Sequence, residues 1–80
     1  MAHKETAQSF VDGNTTVTID SEECRIIRYD YTTTTFDHAE MSAEEFERFF
    51  RVCLRHDIVG ANDANITPLV TQVMQARQSL

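Results

Sequence analysis

Two periodicities divide this chain. Between Thr15 and Asp20, Val17 and Ile19 alternate with Thr16, Thr18 and Asp20. A period of two puts one set of side chains on one face of an extended strand. Further along, Phe46, Phe49, Phe50, Cys53 and Leu54 fall at i, i+3, i+4, i+7 and i+8. That spacing draws one apolar stripe along an α-helix. Strand periodicity in the first half and helix periodicity in the second predict an α+β domain.

The remaining segments fit this division. Thr6–Val11 reads as a first strand, and Asp12-Gly13 as a tight turn in which glycine takes positive φ without a Cβ clash. Thr15–Asp20 is the second strand, and Ser21-Glu22-Glu23 the next turn. Cys24–Phe36 is a long extended run, with Ile27, Tyr29 and Tyr31 on one face, read as core, and Arg28, Asp30 and Thr32 on the other. Thirteen residues is long for one strand, so a bend or bulge is expected near the β-branched run Thr32–Thr35. These segments predict a small three-stranded antiparallel sheet over about residues 6–37, with one face covered.

Ser42-Ala43-Glu44-Glu45 has the form of a capping box, which starts a helix over residues 42–59. Met41 and Phe46 stand where a hydrophobic staple would hold its first turn, and Glu44–Arg48 and Glu47–Arg51 are i,i+4 pairs. Gly60 ends this helix, and Ala61–Ile66 reads as a polar connector. Thr67-Pro68 forms an N-cap and N1 pair for a shorter second helix over 67–78, with Leu69, Val70, Val73 and Met74 on its apolar side. Gln75–Leu80 is expected to fray. The whole reads as a single domain over 1–80, its sheet packed by one longer helix and a shorter C-terminal one.

Eighty residues bury only roughly 60% of the surface their unfolded chain exposes, so each large apolar side chain matters. No run of about 18 apolar residues occurs, and none follows a basic start. Cys24 and Cys53 are not grouped as a redox or metal pair. Free thiols in a cytoplasmic protein are therefore expected.

Charge is distributed unevenly. The chain carries −6 overall. Residues 1–47 hold eleven acids and three bases, a net charge of −8, while residues 48–80 hold two acids and four bases, a net charge of +2. A negative field repels phosphate backbones and favours basic partners.

Each candidate for chemistry meets a structural explanation. Cys53 and His56 lie three apart on the predicted helix and, with His38 and Cys24, would make a four-ligand zinc set. No second closely spaced pair supports it, and Cys53 belongs to the apolar stripe, where a packed thiol is common. A nucleophilic cysteine needs a depressed pKa and a nearby base, which a buried Cys53 lacks. Glu22-Glu23 reads as a solvated turn pair, and Glu44-Glu45 as a helix first turn favoured by the macrodipole. No glycine-rich loop is placed to cradle phosphate. No catalytic residue, metal or cofactor is expected.

Two binding readings remain. A strand at Thr32–Phe36 followed by two helices has the order of a ribbon-helix-helix dimer, a DNA-binding arrangement. Against it, Asp30, Asp37 and Glu40 flank that strand, which carries hydroxyls but no Arg or Lys. The row Arg48, Arg51, Arg55 reads better as a solvated helix face. The other reading gathers Asp20, Glu22, Glu23, Asp30, Asp37, Glu40 and Glu44, with Glu45, into one negative patch at the strand ends and the start of the first helix. Such a patch can occupy a protein groove built for nucleic-acid phosphates.

In size, charge, and a sheet carrying Thr15–Asp20 and Cys24–Phe36 followed by the helix from Ser42, the chain resembles the small phage-encoded inhibitors called anti-CRISPR proteins. These inhibitors share no common motif, so no functional residue is carried over. The resemblance implies a non-enzymatic inhibitor whose acidic face blocks a nucleic-acid-binding site, such as that of a CRISPR surveillance complex.

Overall fold

The computed structural model describes the backbone from Gln8 to Leu80 and the side chains from Gly13 onward. Thr6 and Ala7, the expected start of the first strand, lie outside the described residues. The elements follow in the order β1 (Gln8–Asp12), β2 (Thr15–Ile19), β3 (Glu23–Ile27), β4 (Thr33–Asp37), α1 (Ala43–Asp57) and α2 (Asp63–Ser79). The strands form one antiparallel meander, β1-β2-β3-β4. The α+β class, the antiparallel sheet and the two following helices agree with the sequence reading.

The long third run divides into two strands, so the sheet has four. Its bend is a full reversal at residues 28–32. The Asp30 carboxylate accepts from the Thr32 amide at 3.1 Å and from Thr32 Oγ1 at 2.7 Å. The Arg28 amide donates to the Thr32 carbonyl and the Tyr31 amide to the Arg28 carbonyl, both at 2.9 Å. Tyr31 takes φ +69°, a left-handed conformation uncommon for a bulky residue. Leaving the strand here carries Tyr29 and Tyr31 out of the core, where they are 56% and 86% exposed.

The face that β3 buries also differs from expectation. Ile19 pairs with Cys24 and Val17 with Ile26. Residues directly opposite in a ladder share a face. Since Val17 and Ile19 point to the core, Cys24 and Ile26 must join them, and all four are fully buried. Ile27 belongs to the other face and is half-buried.

The core lies between this face and the two helices. Phe46, Phe50 and Leu54 of α1 and Ile66, Leu69, Val70 and Val73 of α2 close over Val17, Ile19, Cys24 and Ile26. Burying each large side chain contributes about 1.5–3 kcal/mol. α2 covers β1 and β2. α1 reaches β4 through Phe36, whose ring lies 5.9 Å from that of Phe46 and 4.7 Å from that of Phe49. Phe49 flanks the α1 stripe and remains 43% exposed.

Both helices begin with reciprocal caps. Ser42 Oγ accepts from the Glu45 amide at 3.1 Å while Glu45 accepts from the Ser42 amide at 2.9 Å, as expected. α2 begins earlier than expected, because Asn62 and Asn65 make the same exchange at 3.0 and 2.8 Å. The supposed connector is therefore its first turn, which buries Ile66, and Pro68 sits inside the helix. Gly60, at φ +80°, turns the chain between the helices. The C-terminal turn does not fray: α2 runs 17 residues against 15 in α1, Ala76 is buried, and Leu80 packs on the core. No helix among the described residues is long and apolar enough to cross a membrane.

Candidate functional site

Three segments meet at one end of the sheet: the β2–β3 turn, the connection from β4 to α1, and the last turns of α2. His38, only 3% exposed, joins them. Its amide donates to the Glu22 carbonyl at 2.9 Å. Its Nε2 lies 2.6 Å from the Asp20 carbonyl, and its Nδ1 lies 3.0 Å from Arg77 Nε. A carbonyl can only accept and a guanidinium can only donate, so these partners assign the proton to Nε2. Arg77 Nη2 also donates to the His38 carbonyl, at 3.1 Å, and to the Met41 carbonyl. The guanidinium stands 5.0 Å over the Phe46 ring. The end of α2 is thereby tied to both acidic segments.

This frame sorts the acids by what they do. Asp20 holds the β2–β3 turn, accepting from the Glu22 and Glu23 amides at 2.8 and 2.7 Å. The Glu23 amide, then that of Glu22, keeps its carboxyl below the ordinary 3.8. The Ser42 amide, within the cap, holds Glu45 below 4.5. Glu23 lies 3.4 Å from Arg25 in an exposed pair. Glu22, Asp37 and Glu40 are different. All three are exposed and surround a shallow cleft of about 320 Å³ beside Ala39, and their carboxylates have neither a hydrogen-bond nor an ion-pair partner among the described residues. Glu44 is likewise exposed and has no side-chain partner among the described residues, on the first turn of α1 that follows this connection. Asp37 also stands directly opposite Glu23 in the β3–β4 ladder, a like-charge pairing that costs stability.

Asp30 does not belong to this group. It lies in the β3–β4 turn, at the opposite end of β3 from the β2–β3 turn, some ~15 Å along a five-residue strand. Thr32, chiefly through its hydroxyl, holds its carboxyl below 3.8, and Arg28 Nε is 3.8 Å away. The single patch predicted from sequence is therefore divided: Glu22, Glu23, Asp37 and Glu40 come together around the Asp20 turn, Glu44 adjoins them, and Asp30 is remote.

The basic half of the chain is largely used internally. Arg51 Nε meets Glu47 at 3.1 Å, and Arg51 Nη1 reaches the Asp63 carbonyl and Thr67 Oγ1 at 3.5 and 3.4 Å. Arg55 pairs with the Asp63 carboxylate. Two arginines of the expected solvated row thus fasten α1 to the first turn of α2.

The cysteines and histidines are scattered by the fold. Cys24 is fully buried, which pushes its thiol up to about 12. Cys53 is half-buried and also raised, first by burial and then by Asp57. The His56 side chain is 80% exposed, and His38 is engaged with Asp20 and Arg77. Among the described residues no three His, Cys, Asp or Glu side chains are grouped to hold a metal ion. The link from His38 to Arg77 spans 39 positions and had no periodic signal in the sequence. No protein-family model, curated protein or solved structure matches the chain.

Proposed function

We propose that this protein is a non-enzymatic binding module that presents Glu22, Asp37 and Glu40, flanked by Glu23 and Glu44, to a basic nucleic-acid-binding site on a partner protein. The observation that carries the reading is the division of labour among the carboxylates. Asp20 and Glu45 build turns and caps, whereas the three carboxylates around the cleft have no bonding partner among the described residues. Gathering unpaired like charges opposes folding, and a basic partner would reverse that cost. An inhibitor of the anti-CRISPR type is the narrower form of this reading, and a cytoplasmic setting suits a partner that handles nucleic acid.

The test is affinity capture from lysate of the native host, comparing the wild-type chain with a Glu22→Gln, Asp37→Asn, Glu40→Gln variant. A nucleic-acid-binding protein should be retained by the wild type and lost from the variant. Equal retention by both would remove the acidic end from the function.

A second reading has one observation in its favour. β4 is the last strand of the sheet, and its outer edge bonds to no strand among the described residues. Two copies could pair there, as a ribbon-helix-helix regulator would require. A monomer at all concentrations in sedimentation would dismiss it.

A further inference from the structure

A cleft of about 480 Å³ opens at the end of the domain away from the acidic turn, walled by the β1–β2 turn, Tyr29 and the connection between α1 and α2. Asp57, the last residue of α1, lines it. This side chain is only 4% exposed, and its Oδ2 is sealed from solvent with no hydrogen-bond partner among the described residues. Its other oxygen lies 3.1 Å from His56 Nδ1. It also sits at a helix C-terminus, where the macrodipole disfavours negative charge. A buried carboxylate with an unsatisfied oxygen is costly, and such groups in native structures call for an explanation. The α1 arginines nearest to it in sequence offer none, since Arg51 and Arg55 are turned to Glu47 and Asp63.

We propose that this cleft binds a compact organic cation, a guanidinium or primary ammonium, through Asp57. Such a group carries the opposite charge and several N–H donors, matching what Asp57 lacks. The His56 side chain is 80% exposed and free to swing away, which releases Oδ1 to the N–H donors of the cation. Thr15 and Asn14 add polar groups to the wall, while Tyr29 and the 83% exposed Val59 offer apolar surface to the stem behind the charge. An inorganic divalent ion fits less well, because it draws on several oxygen ligands and Asp57 is the one carboxylate lining the cleft among the described residues. The cation can belong to a free small molecule or to an arginine or lysine side chain of a partner protein.

The test is an amide-shift titration of the intact protein with two probes, agmatine and N-acetylarginine amide, the second standing for a side chain on a polypeptide. Saturable shifts are expected at Asn14, Thr15 and residues 57–61, with the tighter probe identifying the source of the cation. Asp57→Asn, which keeps the shape and removes the charge, should weaken binding about thirtyfold or more. It should leave stability unchanged or raised, as for a group strained in service of a ligand. Tyr29→Ala, at an exposed position, should weaken binding in a folded protein and stands in if the Asp57 variant does not fold. No saturable shift, shifts confined to the acidic end, or equal affinity in the wild type and both variants would overturn the proposal.

Discussion

Truncating Arg77 to alanine tests how the acidic end is assembled. The change removes Nε from His38 Nδ1, at 3.0 Å, and Nη2 from the His38 and Met41 carbonyls. It also removes the cation over Phe46. His38 is 3% exposed, so its Nδ1 would be left as a buried acceptor that solvent reaches poorly. A hydrogen bond to a charged group contributes about 1.5–3 kcal/mol. A partly desolvated cation over an aromatic ring adds ~1 kcal/mol. These contributions share one side chain and do not add fully, so a loss of about 3 kcal/mol is expected. A domain of this length has a total stability of roughly 4–12 kcal/mol, so that loss is a large part of it. Urea unfolding followed by circular dichroism should show a lower midpoint with an unchanged slope. Arg77→Lys, which keeps the charge but not the fork, should fall between the two. A loss below ~0.5 kcal/mol in the alanine variant, the level of an ordinary surface change, would refute the role given to Arg77 and His38.

Other outcomes follow from the same geometry. Pro68 lies inside α2 and has no N–H to donate to the Ala64 carbonyl, so Pro68→Ala should raise stability by about 1 kcal/mol or more in thermal unfolding. A decrease would mean that the proline sets the helix in a way its exposure hides. Asp20 and Glu45 have folded pKa values below the ordinary 3.8 and 4.5, so the stability they contribute is present above those values and lost as pH falls through the lowered ones. Asp20→Asn with Glu45→Gln keeps acceptor oxygens but not titration, and its stability should fall less than wild type below about pH 4. An identical pH profile would contradict this. Thiol labelling at pH 8 should modify half-buried Cys53 first. Cys24, buried and raised to about 12, should react only as the protein opens, and two equally fast thiols would contradict the packing of β3.

Much of this architecture is written in local patterns. The Val17–Ile19 alternation, the Ser42–Glu45 box and the Phe46, Phe50, Leu54 stripe are each a short-range signal, and each has its expected place. The misreadings have non-local causes. The face that Cys24 and Ile26 bury is set by their partners Ile19 and Val17 across the ladder, whereas the run of Ile27, Tyr29 and Tyr31 suggested the opposite phase. The reversal at 28–32 depends on an aspartate and threonine closing a turn without glycine or proline, a weaker signal than Asp12-Gly13. The start of α2 was obscured because Thr67-Pro68 is a strong cap pair, while the Asn62–Asn65 exchange works equally well five residues earlier. At the candidate site, the charge was legible and its division was not. Which carboxylates are consumed by turns and which stand free depends on backbone amides that only the folded chain brings within reach.

The reading of the acidic end is tested most directly by the affinity between this protein and its captured partner, measured from 50 to 200 mM salt with and without the nucleic acid that partner binds. Binding through free carboxylates to a basic site should weaken steeply with salt, and the nucleic acid should compete for the same surface. Neutralising Glu22, Asp37 and Glu40 should flatten the salt dependence. An affinity indifferent to salt, or a partner that holds this protein and its nucleic acid together without mutual weakening, would contradict the account.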